Sequence, residues 1–165
     1  MKTQIAYISL GSNLGDTNKN LSNACDHIEN LHNTKILKKS SIYLTEPQGL
    51  KDQPWFANQV LKVKVQDMEP ITFLHKLLKI EIFMGRKRNT RWGPRIIDLD
   101  LILFEDKIIN TKELTLPHPR MIKRAFVLVP LLEISPEVKL PSGEEVKKYL
   151  QKINFVQKDN KLWQK

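Results

Sequence analysis

Residues 96–104 read Ile-Ile-Asp-Leu-Asp-Leu-Ile-Leu-Phe, an apolar run interrupted only by Asp98 and Asp100. Such a run fits a buried strand. Side chains two apart on a strand share a face, so both carboxylates project to one side, roughly 6.5–7 Å apart at their Cα atoms. Alternation places Ile97, Leu99, Leu101 and Leu103 under helices, and Asp98, Asp100, Ile102 and Phe104 on the opposite face. Two like charges beside an apolar surface are costly unless cations sit between them. The strand is thus committed to a core over most of its length and to ionic chemistry at its start.

The preceding segment is basic. Between residues 86 and 95 lie Arg86, Lys87, Arg88, Arg91 and Arg95, with no acid, around Trp92 and a Gly93-Pro94 breaker. Magnesium commonly combines one or two carboxylates with substrate phosphates, and arginine's planar fork grips phosphate oxygens in pairs. A basic loop feeding a carboxylate pair therefore suggests a magnesium-bound polyphosphate. The competing arrangement pairs Asp98 and Asp100 with Arg91 and Arg95 on an exposed strand face. Trp92 stacks on a flat ligand in one reading and plugs the core in the other.

Composition bounds the rest. The chain has 165 residues, 41% hydrophobic and 27% charged, which predicts one domain spanning 1–165 with its own core. No apolar run approaches the ~18 residues of a membrane span, and the N-terminus lacks the pattern of a signal peptide. Cys25 is the single cysteine, so a cytoplasmic protein is expected. The net charge of +9 favours anionic partners without choosing among them. The lysines at 38–39, 62, 64 and 147–148 and through the basic C-terminal tail read as ordinary solvated faces.

In order, residues 3–10 predict a buried strand ended by the turn Gly11-Ser12-Asn13-Leu14-Gly15-Asp16, which lacks a phosphate-loop pattern. Asp16 or Thr17 caps a helix with Leu21, Ala24, Cys25, Ile28 and Leu31 on its apolar face. Strands follow at about 35–45 and 56–66, then a helix from Asp67–Pro70 with Ile71, Leu74, Leu77, Leu78 and Ile82 inward and Gly85 as its stop. Glu81 lies at or beside that apolar face and needs a partner. After the 96–104 strand come a short return strand at 107–109, a helical stretch from about Met121 to Leu132, and a last helix near 144–151. The order strand, helix, strand, strand, helix, strand predicts an α+β fold with a ferredoxin-like β-α-β-β-α-β core: a mostly antiparallel sheet, helices packed on it, and C-terminal additions.

The segment Arg-Trp-Gly-Pro-Arg-Ile-Ile-Asp-Leu-Asp-Leu-Ile resembles the signature of the 6-hydroxymethyl-7,8-dihydropterin pyrophosphokinase family. So do Gly11–Gly15, Thr45–Gly49, Asp52–Asn58, Glu81–Arg86 and Leu116–Met121, collinear blocks that span most of the chain. The resemblance implies transfer of diphosphate from ATP to the hydroxymethyl group of a reduced pterin, in folate biosynthesis, with release of AMP. It implies that Asp98 and Asp100 hold two Mg2+ ions and that Arg86 and Arg95, on a solvated mobile loop, engage the phosphates during transfer. Glu81, Arg88, Trp92, Thr115, His118 and Arg124 are expected to bind ATP. Phe56 and Phe126 would sandwich the pterin while Thr45, Asn58 and the backbone near Gln48 read its polar edge. Phe56 stands where relatives commonly have tyrosine, and Leu78 and Glu113 where some have glutamine and arginine. The partners implied are small molecules, with no nucleic acid and no membrane.

A basic ferredoxin-like module for RNA binding or regulation is the alternative. Its aromatic RNA-contacting run is missing, since the third strand reads Ala-Asn-Gln-Val-Leu-Lys-Val-Lys.

Overall fold

A computed structural model describes residues 2–47, 52–86 and 93–165. The chain runs β1 (Thr3–Ser12), α1 (Thr17–Glu29), β2 (Thr34–Lys39), β3 (Tyr43–Thr45), β4 (Phe56–Gln66), α2 (Pro70–Phe83), β5 (Asp98–Phe104), β6 (Ile109–Asn110), β7 (Thr115–Leu116), α3 (Ala125–Ile134), α4 (Lys147–Leu150), β8 (Phe155–Lys158) and β9 (Lys161–Gln164). The sheet order is β5-β1-β4-β3-β9-β8, with β2 also paired to β4. This is the predicted α+β core, with β1 and β4 central and β5 at one edge. Among the described residues only β3 and β9 run parallel.

Strand alternation divides the core between two faces. Ala6, Ile8 and Leu10 of β1 and Leu61, Val63 and Val65 of β4 pack against Leu21, Ala24 and Ile28 of α1 and Phe73 and Leu77 of α2. Asp16 caps α1 by accepting the Lys19 amide at 3.1 Å. On the opposite face Tyr7, Val60, Ile102 and Leu103 meet Val127, Leu128 and Leu131 of α3. The later elements therefore form a second layer across the sheet.

The structure corrects several predicted details. A bulge sets Tyr7 opposite Leu103 but Ile8 opposite Leu101, so Ile102 is an extra residue on β5. Beyond it the alternation inverts: Phe104 packs under α1 and α2, and Leu103 joins Ile102 on the α3 side. In α2 the buried residues are Pro70, Phe73, Leu77, Ile80 and Glu81, while Ile82 is 71% exposed. Of the predicted stripe, Leu77 is buried and Ile71 and Leu74 pack half-buried against the core, whereas Leu78 lines a cleft, which Leu74 also borders. The strand expected at 35–45 breaks at Ser40, whose hydroxyl accepts the Val60 amide. Ile109 and Asn110 pair with β7 instead of returning along β5. The stretch from Met121 opens as a 3-10 turn, Met121–Lys123, and becomes α3 only after Arg124.

The largest departure is the tail. It forms a β8–β9 hairpin, which the sequence reading did not anticipate, while its lysines are exposed as expected. Asp159 takes a positive φ of 54° in the two-residue Asp159-Asn160 connection, the conformation such tight hairpins need.

Candidate active site

Three adjacent strands carry the floor of a cleft on the α3 face. Across β5, β1 and β4 the register aligns Asp98 with Gly11 and Gly11 with Asn58, while Asp100 lies opposite Ser9. Asp98 and Asn58 are thus two strand spacings apart, roughly 10 Å. Gly11 leaves the space between them open. A Cβ on Gly11 would lie 3.3 Å from Asn58 Oδ1 and 3.7 Å from Phe56 Cδ1. The resulting cleft has a volume of about 500 Å³.

One end is ionic. Glu81, at the last turn of α2, is 2% exposed. Its Oε2 accepts the Leu99 amide at 2.6 Å, and its Oε1 pairs with Arg86 at 2.7 Å. Leu99 sits on the free edge of β5, where an amide has no strand partner. Arg86 also reaches Asp98 Oδ1 at 3.0 Å, and Arg95 holds Asp98 Oδ2 at 2.9 Å. Arg86 therefore is not the solvated loop residue expected from sequence: its side chain is 13% exposed between two carboxylates. Glu81 was drawn inward because it alone on that helix reaches both the edge amide and the guanidinium.

Burial raises the Glu81 pKa to about 6, with the Leu99 amide and Arg86 pulling the other way. Asp100 is raised further, to about 7, by desolvation and then by the charges of Asp98 and Glu81; Arg124 and Arg86 only partly offset them. Desolvation lowers the Arg124 pKa. His118 falls to about 4 through burial and the neighbouring Arg124 and Arg120, so its imidazole is neutral near pH 7. The His118 amide donates to the Ile102 carbonyl at 2.9 Å, docking this loop on the free edge of β5.

The other end is apolar and hydrogen-bonding. Phe56 of β4 and Phe126 of α3 both line it. Asn58 Nδ2 donates to Thr45 Oγ1 at 2.7 Å, holding the Asn58 amide in one orientation. The Arg124 guanidinium lies 5.4 Å from the centre of the Phe126 ring, which joins the two ends. Leu74, Leu78 and Thr115 also line the cleft.

Of the residues singled out from sequence, Thr45, Phe56, Asn58, Glu81, Arg86, Arg95, Asp98, Asp100, Thr115, His118, Arg124 and Phe126 all line this cleft. Gln48, Arg88 and Trp92 lie outside the described residues. Sequence reasoning missed Asn13. That residue is 2% exposed; its Oδ1 accepts the Arg95 amide at 2.7 Å and its own amide donates to the Arg95 carbonyl at 3.0 Å. Its Nδ2 donates to Gln53 Oε1 and the Pro54 carbonyl. The turn after β1, read as a simple helix entry, thus fixes Arg95. An amide side chain in a glycine-bounded turn was the available signal.

The donor set bears on a metal. Among the described residues no group of three or more His, Cys, Asp or Glu side chains converges to hold an ion. Asp98 and Asp100 are nevertheless two hard oxygen donors on one face. Arg86 and Arg95 pair directly with Asp98, whereas Asp100 is compensated only in part, by the fields of Arg124 and Arg86. Such a pair fits a magnesium ion that completes its shell with substrate phosphate oxygens.

Comparison with known proteins agrees with this geometry. The family described as 7,8-dihydro-6-hydroxymethylpterin-pyrophosphokinase (HPPK) matches residues 7–136. The Pseudomonas aeruginosa 2-amino-4-hydroxy-6-hydroxymethyldihydropteridine pyrophosphokinase is 38% identical over 92% of this chain and 93% of its own. The Bacillus subtilis protein of the same name is 44% identical over 81% of this chain and 80% of its own. Among solved structures, wild-type Plasmodium falciparum HPPK-DHPS with pteroate superposes with a TM-score of 0.73 at 17% identity. That match covers 92% of this chain but 42% of the longer one, so the chain spans less than half of it, and the likeness concerns the fold.

Proposed function

This chain belongs to the 7,8-dihydro-6-hydroxymethylpterin-pyrophosphokinase family, and we propose that it performs the family's reaction in the cleft floored by Asp98, Gly11 and Asn58. The reaction is transfer of diphosphate from ATP to the hydroxymethyl group of 6-hydroxymethyl-7,8-dihydropterin, a step of folate biosynthesis. The hydroxymethyl oxygen forms a bond to the β-phosphorus, the bond from that phosphorus to the α–β bridging oxygen breaks, AMP leaves, and the hydroxyl proton is released.

The observation that carries the proposal is the aligned row across three strands. It sets an anionic pair and an aromatic, amide-lined end roughly 10 Å apart on one floor, with Gly11 open between them. A flat heterocycle wants aromatic faces and a few fixed hydrogen bonds, which Phe56, Phe126, Asn58 and Thr45 offer. The triphosphate belongs at the ionic end, near Arg86, Arg95, His118 and Arg124. Glu81 supports that end by holding Arg86. Thr115, with Leu74 and Leu78, suits the nucleotide base.

Phosphoryl-type transfer requires in-line positioning and neutralised charge more than a covalent nucleophile. Asp98 and Asp100 would hold the Mg2+ ions. Bound there, magnesium would neutralise phosphate charge and polarise the reacting phosphorus. Arg86 and Arg95 already bracket Asp98, so polyphosphate binding asks them to exchange a carboxylate for phosphate oxygens. Neutral His118 offers a hydrogen bond without adding charge. Gln48, Arg88 and Trp92 are assigned to the same substrates by resemblance. The reading is of one catalytic domain over residues 1–165, acting in the cytoplasm on small molecules, without nucleic-acid or membrane partners. Among the described residues no helix is long and apolar enough to cross a membrane.

The test incubates the protein with ATP, magnesium and 6-hydroxymethyl-7,8-dihydropterin and identifies the nucleotide product. AMP is expected, lost in Asp98→Ala and Asp100→Ala. ADP as the stoichiometric product, or full turnover in both variants, would overturn the assignment.

A further inference from the structure

The β8–β9 hairpin lies beyond residues 7–136, which match the family, yet it pairs with a strand that carries the wall of the cleft. Strand β9 adds in parallel to β3, with Leu162 opposite Thr45. Leu162 is 2% exposed, and Trp163 meets Trp55 edge-on at 5.6 Å, one residue before Phe56. One side of the hairpin is thereby fixed to the strands that carry Thr45 and Phe56.

Its other side is hydrogen-bonded to the start of α3 by Gln164. Gln164 Oε1 accepts the Ala125 amide at 2.9 Å, and Gln164 Nε2 donates to the Lys123 carbonyl at 2.7 Å. These two backbone groups bracket Arg124. Arg124 is extended, with φ −121° and ψ 108°, between the 3-10 turn and α3, and its side chain does not cap the helix. The Ala125 amide is among the first of α3, which have no partner within the helix. Gln164 supplies that partner from a distant strand.

We infer that Gln164 is a positioning residue for the pterin end of the cleft: by clamping the backbone on both sides of Arg124, it sets how Arg124 and Phe126 meet the wall that carries Phe56, Asn58 and Thr45. An extended residue between two helical segments is a natural hinge, and among the described residues the backbone hydrogen bonds at this junction are local in sequence. Farther along α3 the walls are joined by Val127 and Leu128 packing on Val60 and by Glu133 accepting from Tyr43 and Ser41; at the start of the helix, beside the pterin end, the hairpin adds the Gln164 link. This inference rests on the cleft assignment proposed above.

The test compares wild type with Q164L, which loses both hydrogen bonds, and Q164E, which keeps an acceptor but loses the donor. Affinity for 6-hydroxymethylpterin is measured in the full chain with Phe126 intact and with Phe126→Ala. Q164L is expected to weaken binding about tenfold when Phe126 is present and less than about twofold when it is absent. Q164E should fall between wild type and Q164L, and it serves if Q164L does not fold. Amide exchange at Ala125 should quicken in Q164L while the β1 amides keep their protection. Unchanged pterin affinity, or an equal loss in both backgrounds, would overturn the positioning role. If wild type does not bind the pterin, the cleft assignment fails; the clamp is then judged by Ala125 exchange, and unchanged exchange overturns it.

Discussion

Glu81 accepts the Leu99 amide at 2.6 Å, which puts a buried carboxylate on the edge of β5 between Asp98 and Asp100 in sequence. The contact ties the end of α2 to the strand that carries the anionic pair. It also stations Arg86 between Glu81 and Asp98. Removing either partner leaves a buried charge or a bare amide, and such losses exceed the value of an exposed ion pair.

The first prediction concerns this network. Arg86→Ala is expected to cost about 2–3 kcal/mol of stability as well as activity, because Glu81 keeps its burial and loses its counter-charge. Glu81→Ala should cost a similar amount through the unpartnered Leu99 amide. Urea denaturation measures both. A midpoint for Arg86→Ala equal to that of wild type would return Arg86 to the role of a solvated loop residue.

Gly11→Ala tests the open position in the floor. Its added Cβ meets Asn58 Oδ1 at 3.3 Å, so Asn58 must shift by a few tenths of an ångström and disturb its bond to Thr45. Pterin affinity should fall about tenfold. Stability should change by less than about 1 kcal/mol. Isothermal titration and thermal melting read the two separately; equal affinity would show that the ligand does not use this gap.

The core was legible in the chain because local pattern and tertiary demand agree there. Thr3–Ser12, Phe56–Gln66 and the Asp16-capped α1 follow their periodicities closely. Asp98 and Asp100 stood out because charge interrupts an apolar strand. Other features depend on contacts distant in sequence. The Ile102 bulge comes from pairing with β1, and no local signal marks it. The inward turn of Arg86 needs Glu81 and Asp98 assembled together. The tail hairpin did carry a local sign, Asp159-Asn160 between two short β-prone segments, hidden by its lysines.

Asn13 is expected to act through Arg95. Asn13→Ala removes the acceptor of the Arg95 amide and both side-chain bonds to the Gln53–Pro54 loop. A loss of about 2 kcal/mol is predicted, together with weaker ATP binding. Asn13→Asp keeps the acceptor for Arg95 and should recover part of the ATP affinity. Equal ATP affinity in the wild type and Asn13→Ala would separate Arg95 from the nucleotide.

His118 sets a pH dependence whose sign follows from its lowered pKa. The unfolded chain takes up a proton near the ordinary value of 6.5, whereas the folded imidazole resists until about pH 4. The folded state therefore binds fewer protons in that window, and stability falls as the pH drops through it. Because the ring is partly exposed, the loss is put on the order of 2 kcal/mol. Unfolding midpoints at pH 7 and pH 4.5 should differ less in His118→Gln than in wild type. Equal differences would remove His118 as a source of the slope.

Asp100→Asn should divide function from stability. In the ligand-free protein the Asp100 charge is poorly solvated and faces those of Asp98 and Glu81, with Arg124 and Arg86 compensating only in part. Replacing it with a neutral isostere relieves that repulsion and keeps nearly the same volume. The expected gain in stability is on the order of 1 kcal/mol, read as a higher melting temperature without ligands. The same change removes one of the two carboxylates assigned to magnesium, so AMP formation should be lost. Magnesium and ATP together should raise the melting temperature of wild type and have a smaller effect on Asp100→Asn. A variant that melts lower than wild type without ligands would show that Asp100 is already well compensated in the empty cleft, and the electrostatic case for a cation there would fall with it.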